Sequence, residues 1–488
     1  VFSQVYDEPW HVAAGYDVLT RGASSTLDLD HPPLARVLFA LPFIGVPEPA
    51  ATDPIGRGNA LLFADDDYAD NLAAARFGNL LFLALGIVAV ALWARHLFTP
   101  VAGLLAALLY ASLPPILANA GFATTDMAVA ALVPLALYSL TLLLEAPTWP
   151  RAALLGVAVA AGMLSKFSFL LYIPAGALVL CLVRRRWPVT RLLGAGAVAF
   201  VLVWAAYGFT FGLLRDADPR APEIAREVFG SPALATALPL PAPAYVAGVI
   251  RVKRHDLRGH ESFFLGQVRK HGSWYYFPVA LFFKTPIPFL ILAFAGCAAA
   301  ARVRPELPLL AGVILIVAMT SRINIGVRHV LPIYAPLAIG AAAVVPESRR
   351  LRLAAAALVL WLLAGAGLAH PDYLPWFNGF ARHPEEILSD SNLDWGQDLL
   401  RLADAAQRLG IRRMTVSIFT TAPHDRLGLP PHDPWRYPLP IHGWFAISEM
   451  NLAYSNSRPE VRARLDALLQ GRAYRRIGKS IRLYRIND

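Results

Sequence analysis

Residues 74–95 read AARFGNLLFLALGIVAVALWAR, a run in which no charged side chain stands between Arg76 and Arg95. A helix rises 1.5 Å per residue, so about 20 such residues cover a hydrocarbon layer roughly 30 Å thick. This segment therefore predicts a membrane span. Comparable runs recur at about 100–118, 125–144, 152–165, 167–183, 191–213, 277–300, 306–321, 327–345 and 351–369. Of the 488 residues, 56% are hydrophobic and 16% charged, whereas a soluble chain carries roughly 25% charged residues. The fold expected is an all-α polytopic membrane protein.

The distribution of charge orients these runs. A net charge of +10 would suit a nucleic-acid partner, but the basic residues stand at the ends of apolar runs instead. Nucleic acid is not expected as a partner. Arg95, Arg151, Arg184, Arg185, Arg186, Arg191, Arg302, Arg304, Arg349, Arg350 and Arg352 fall on one side of the alternating spans. Positive-inside bias assigns that side to the cytoplasm. The outer side then carries residues 1–72, the loop 214–275 and the tail 370–488, with Lys166, Arg322 and Arg328 in short turns. The same parity predicts one further span ahead of Val1, eleven in all.

Three regions follow: an external segment 1–72, a helical bundle 73–369 and a small outer α/β domain 370–488. The apolar stretch Leu34 to Val46 is too short to span and suits the interface. In the tail, Leu399, Leu402, Ala403, Ala406 and Leu409 repeat at helical spacing before Gly410, a C-terminal cap. A second helix is expected over 459–469, and strands over 414–419, 444–447 and 480–486. Cys181 and Cys297 lie in separate apolar runs, which gives no disulfide framework or metal knuckle. The chain has no nucleotide-binding glycine loop, which favours a lipid-linked donor over a soluble nucleotide sugar.

The candidate chemistry begins at Tyr6-Asp7-Glu8-Pro9-Trp10-His11, followed by Asp28, Asp30 and His31-Pro32-Pro33-Leu34. Two adjacent carboxylates beside a membrane suit general-base work, since partial desolvation raises a carboxylate pKa. A solvated acidic loop explains the same residues equally well. Lys284 lies inside an apolar run, where a charge needs an anion or a watery cavity. Lys166, Arg322 and Arg328 fall at the same outer face, and together with Lys284 they could grip a phosphate. Snorkelling and helix-end anchoring are the alternative. Asp126 opens a span, either capping its helix or joining the acidic cluster. Asp65-Asp66-Asp67 reads as a solvated turn feeding a helix, and Asp394 and Asp398 as structural. His255, His260 and His271 belong to a basic loop that could close as a lid. No metal site is assigned.

The pattern Asp-Glu, nearby His and Asp-x-His-Pro-Pro-Leu resembles the first external loop of protein O-mannosyltransferases. It is also similar to their bacterial relatives, the lipid-carrier-dependent family-39 transferases of the GT-C fold, which include the aminoarabinose transferase of lipid A. Ala123-Thr124-Thr125-Asp126, Gly162-Met163-Leu164-Ser165-Lys166-Phe167, Trp274-Tyr275-Tyr276-Phe277-Pro278, Lys284-Thr285-Pro286 and Asn324-Ile325-Gly326-Val327-Arg328-His329 extend the resemblance. So does Asp390-Ser391-Asn392-Leu393-Asp394-Trp395-Gly396-Gln397-Asp398. The resemblance implies a GT-C-like bundle with the catalytic base at Asp7 and Glu8 as its partner. It further implies one-step inverting transfer from a polyprenyl-phosphate sugar, with protein, lipid A or envelope glycan as acceptor. His11 departs from the eukaryotic spacing because Pro9-Trp10 intervenes; His11, His31, Asp126 and His329 remain candidate substrate contacts.

The expectation is thus a multi-pass glycosyltransferase of a bacterial inner membrane, in contact with membrane lipids, with its active site and tail domain on the periplasmic or external side. No cofactor is expected, the lipid-phosphate sugar being a substrate. A transporter or flippase of lipid-linked sugars is the rival reading, disfavoured by the absence of paired, broken segments in two halves.

Overall fold

The computed structural model describes residues 2–25, 28–343 and 348–486. Helix α1 (Glu8–Arg21) crosses α2 (Pro33–Ala40) and α3 (Pro54–Leu62), and the three sit against the start of α4 (Tyr68–Leu97). Glycine permits these close crossings. A β-carbon on Gly15 would lie 2.0 Å from the Arg36 carbonyl oxygen, and one on Gly58 would lie 1.9 Å from that of Pro9. The acidic turn 65–67 is exposed and leads into α4.

The bundle continues through α5 (Pro100–Ala111), α6 (Pro114–Ala120), α7 (Asp126–Glu145), α8 (Trp149–Met163), α9 (Phe169–Arg184) and α10 (Val189–Ala206). Helix α7 is its axis: Asp126 to Pro134 are all buried, so it is apolar all round rather than on one stripe. Its neighbours include α4, α8 and α9.

The spans differ from the ten expected. Four helices, Tyr68–Leu97, Asp126–Glu145, Val189–Ala206 and Arg349–Ala369, are long and apolar enough to cross a membrane. Two more arise if bent pairs count as one each: α5 with α6, bent by 68°, and Tyr276–Lys284 with Ile287–Ala300, bent by 115°. Pro114-Pro115 and Pro286 mark these breaks, because proline lacks the amide that would continue the ladder. The expected spans 152–165, 167–183 and 306–321 are shorter apolar helices of 15, 16 and 14 residues. The expected span 327–345 is a 3-10 segment, Val327–Ile333, running into Tyr334–Ala342; its last two positions fall outside the described residues. Apolar composition measures burial or lipid contact, and neither requires an unbroken helix.

The two ends of the bundle differ. At one, Arg151 donates to the Leu142 carbonyl (2.5 Å) and Arg304 to that of Leu97 (3.2 Å). There Arg184 also bridges Glu306 (2.7 Å) and Glu145 (3.4 Å). At the other end stand Asp126, Lys166 and Arg328. Arg186 and Arg191, from the same parity group as Arg151, reach the carbonyls of Leu144 and Pro147 at the first end.

The tail forms a five-stranded sheet in the order 432–434, 414–417, 443–448, 481–486, 474–477. The first two pairings are parallel and the last two antiparallel. Helices Leu399–Arg408 and Pro459–Leu469 lie where the spacing placed them. Residues 3–6 run along this domain, with Ser3 donating to the Gln397 carbonyl (3.0 Å) and Tyr6 to that of Trp395 (2.8 Å). The segment 214–275 carries helices Ala221–Phe229 and Pro243–Arg258 and a hairpin, Ser262–Phe264 with Gln267–Arg269.

Replacing Gly15 by Val forces α1 off α2 and should cost about 1–3 kcal/mol, read as a lower Tm in nanodiscs. Gly196→Ala, in α10 with open space around it, should leave Tm unchanged.

Candidate active site

Asp7 and Glu8 are adjacent but face different surroundings. Glu8 is fully buried. Its carboxylate accepts from Arg76 Nε (2.7 Å) and Nη2 (2.8 Å), from the Ala123 amide (2.8 Å) and from the Val5 amide (2.7 Å). It pins the start of α1 to α4 and to the turn before α7. Glu8, expected beside Asp7 as its partner, does not line the cavity, and its lone pairs are occupied, so here it positions the chain around Asp7.

Asp7, with its side chain 32% exposed, opens into a cavity of about 1210 Å³. Its Oδ2 accepts from Arg328 Nη1 at 2.9 Å. The same nitrogen lies 3.6 Å from Asp126 Oδ2, and Asp126 Oδ1 accepts from Lys166 Nζ at 2.5 Å. Asp7, Arg328, Asp126 and Lys166 thus form one chain of alternating charge, formally neutral, of which Asp7, Arg328 and Lys166 line the cavity. Asp126 is the first residue of its helix, with Thr125 at the N-cap position; its carboxylate joins the charge cluster, one of the two expectations. The Arg328 guanidinium also covers the Trp395 ring at 4.2 Å.

Local structure explains this convergence. Lys166 sits in the turn between α8 and α9. Gly162 just before it leaves room for the Phe169 ring, which a β-carbon would meet at 2.2 Å. Arg328 follows Gly326, whose missing side chain admits Ser391 Oγ. The Asn392 side-chain oxygen accepts from the Val327 amide at 3.0 Å. The tail domain therefore holds the segment that carries Arg328.

Two cations expected at this site are elsewhere. Lys284 Nζ donates to the carbonyls of Leu374 (2.7 Å), Trp376 (2.5 Å) and Asn392 (2.8 Å), and lies over the Phe377 ring. Three acceptors use its three N–H groups, so it ties the bundle to the tail, and it does not line the cavity. Arg322 is exposed, donates to the Leu257 carbonyl at 3.0 Å and does not line the cavity. Sequence spacing placed both near the outer end but could not say which way each side chain turns.

Of the candidate histidines, His31 and His329 line the cavity and His11 lies behind His31, its ring 5.2 Å away. Burial and the neighbouring Arg36 keep His11 and His31 well below the usual histidine pKa, so both are neutral. Arg36 pairs with Asp28 and donates to His11 Nδ1 at 3.3 Å. The loop histidines His255 and His260 also line the cavity, 3.2 Å apart. Among the described residues, no group of three or more His, Cys, Asp or Glu side chains is arranged to hold a metal ion.

Sequence reasoning passed over Tyr6, Phe419, Asp390 and Arg251 as site residues, although all four line the cavity. Arg251 reaches Asp30 Oδ1 at 3.0 Å and Asp218 at 3.6 Å. The motif around Asp390 was visible, but nothing in it says that it faces Asp7. Asp394 and Asp398 are structural. Asp394 accepts from the Met450 amide (2.8 Å) and the Gly396 amide (3.2 Å); Asp398 accepts from the Lys479 and Ser480 amides and the Ser480 hydroxyl.

These features define a helical-bundle membrane protein with a cavity that pairs a carboxylate with buried cations. Residues 68–207 match the sequence profile of the dolichyl-phosphate-mannose-protein mannosyltransferase family. Over nearly its full length the chain has the fold of ArnT from Cupriavidus metallidurans, a GT-C fold. The structure of ArnT bound to undecaprenyl phosphate superposes with a TM-score of 0.54 at 16% identity, covering 99% of this chain and 94% of that one. The apo form gives 0.52 at 15% identity, covering 100% and 94%. The oligosaccharyltransferase AglB from Archaeoglobus fulgidus gives 0.48 at 13% identity, covering 91% and 58%. No curated protein matches the chain in sequence.

Lys284→Met strands three carbonyls and should lower Tm by the equivalent of several hydrogen bonds, each about 1–3 kcal/mol when left buried and unpaired. A phosphate ligand at that position would instead show as a raised donor KM with Tm unchanged. Burial pushes the Asp394 carboxyl up to about 7, so the folded state favours its protonated form. This contribution is fully present below the ordinary aspartate pKa near ~4 and is lost as pH rises through about 7. Denaturant titrations across that window should show the decline, and Asp394→Asn should flatten it.

Proposed function

We propose that this protein is a glycosyltransferase that moves a sugar from a polyprenyl-phosphate carrier to an acceptor hydroxyl, with Asp7 as the base. One observation carries the reading: Asp7, Lys166 and Arg328 face a single cavity although they are far apart in the chain. That cavity exceeds the usual pocket of roughly 300–1,000 Å³, which leaves room for two substrates. The undecaprenyl phosphate held by ArnT, whose fold this chain shares, agrees with a polyprenyl-phosphate donor.

In the proposed reaction the carrier phosphate takes its place against Lys166 and Arg328. It competes with Asp7 for the Arg328 guanidinium, and its arrival frees the carboxylate to accept a proton. The acceptor oxygen attacks the anomeric carbon as the bond from that carbon to the phosphate oxygen breaks. Asp7 takes the hydroxyl proton, and the two cations stabilise the charge left on the phosphate. Displacement in one step inverts the anomeric centre. Asp126 stays between Lys166 and Arg328 and holds their spacing.

Positive-inside bias supports a cytoplasmic location for the arginine-rich end and an external one for the cavity and tail. A bacterial inner membrane with a periplasmic active site is the corresponding setting. His31 and His329, being on the cavity wall, are the remaining candidates for substrate contact.

The test uses protein in nanodiscs with radiolabelled undecaprenyl-phosphate mannose and arabinose donors. Asp7→Asn should lower kcat by about 10²–10⁴ while the carrier still binds, and Arg328→Gln should chiefly raise donor KM. Wild-type rates in Asp7→Asn would remove Asp7 from the role. In sealed proteoliposomes, movement of intact labelled carrier between leaflets without release of prenyl phosphate would mark a transporter instead.

A further inference from the structure

The tail-domain side of the cavity carries chemistry that the transfer step leaves unused. Asp390 lies on the cavity wall with a φ of 57°, in the left-handed region that only glycine, asparagine and aspartate enter readily. Its turn is clamped in place. Ser391 Oγ donates to the Ile325 carbonyl (2.5 Å), and the Asn392 amide group donates to the Tyr276 hydroxyl (2.9 Å). Asp390 as a residue is 8% exposed. Among the described residues its hydrogen-bond partners are confined to Ser391, whose amide donates at 2.6 Å. A carboxylate so buried with so few donors is costly unless something else donates to it. Burial pushes it up to about 6, with Arg328 pulling the other way, so it is mostly ionised at neutral pH.

A second feature lines the same cavity. Tyr6, immediately before the base, stacks on Phe419 with ring centroids 4.5 Å apart and an interplanar angle of 6°. Both rings are half-buried and both line the cavity. The Tyr6 carbonyl accepts from the Thr421 hydroxyl (2.9 Å), which fixes the pair across the boundary between the external segment and the tail.

A buried anionic acceptor beside flat aromatic rings suits a pyranose or furanose. Ring hydroxyls are good donors to a carboxylate, and the C–H face of a sugar packs on an aromatic ring. A serine or threonine side chain offers one hydroxyl, which Asp7 already uses, and no flat face. An acyl chain offers no donor. We propose that the acceptor is a saccharide, held on the tail side of the cavity with Asp390 accepting from its hydroxyls and Tyr6 and Phe419 packing against its ring. A neighbouring hydroxyl of that sugar would be the one presented to Asp7. This inference rests on the glycosyl-transfer reading above and names its acceptor class.

The test supplies the full-length protein in nanodiscs with the two radiolabelled undecaprenyl-phosphate sugars and, separately, with envelope glycans, glycolipids and proteins of its own host as acceptors. Label joined glycosidically to another sugar, resistant to protease and to alkaline β-elimination, is the expected result. Label released from protein by β-elimination would overturn the saccharide acceptor alone. No release of prenyl phosphate with any acceptor would overturn the transfer reading and this inference with it.

With the labelled product in hand, Asp390→Asn keeps both the shape and the tolerance for the left-handed backbone. It should raise acceptor KM roughly 10-fold or more, as expected when a charged hydrogen bond is lost, and raise it far more than donor KM. Phe419→Leu should act in the same direction and Phe419→Tyr should restore binding. An unchanged acceptor KM in Asp390→Asn and Phe419→Leu, each with wild-type Tm, would overturn the assignment of these residues.

Discussion

The alternating chain Asp7–Arg328–Asp126–Lys166 is the interaction on which the rest of the molecule depends. Its members come from the N-terminal segment, the 3-10 segment before Tyr334, the start of the axial helix and the turn between α8 and α9. Charges in an apolar bundle are tolerated only when opposed by partners at contact distance. Here each cation is flanked by a carboxylate, and three of the four groups are buried. The cluster is neutral as a whole, so it can sit at the end of a helical bundle, and three of its four members line the cavity.

Holding four such groups in register requires supports that themselves do no chemistry. Glu8 and Arg76 fix the backbone beside Asp7, and the Ala123 amide joins them, so Asp7 is tied directly to the turn before the helix that bears Asp126. Lys284 performs the matching task on the tail side by gathering carbonyls from residues 374, 376 and 392. Asn392 then fixes Val327, next to Arg328. The charged residues buried away from the cavity are thus the rivets that place those within it. Breaking one partner of such a pair leaves an uncompensated charge, which costs far more than the pair itself contributes.

The bends in the bundle serve the same geometry. The break at Pro286 turns the chain by 115° immediately after Lys284, which brings that ammonium against the tail instead of leaving it along a lipid-facing helix. The tail domain is correspondingly a wall of the site: Asp390, Trp395 and Phe419 all face the cavity that Asp7 opens into.

The sequence by itself determined the class of fold, the helices and central strands of the tail, and Asp7, Lys166 and Arg328 as residues to look for at one end of the bundle. These follow from composition, periodicity and charge position, which are properties of local segments, and from a family resemblance carried by short motifs. Only the tertiary structure decided that Glu8 and Lys284 are bonded away from the cavity, that Arg322 points away, that six of the expected spans are short, bent or broken, and that Asp390, Tyr6 and Phe419 line the cavity into which Asp7 opens. The physical reason is direction. A motif states which groups are available, whereas the side each group faces is set by packing between segments hundreds of residues apart. Adjacent residues such as Asp7 and Glu8, alike in chemistry, are sent to opposite roles by the turn of one backbone.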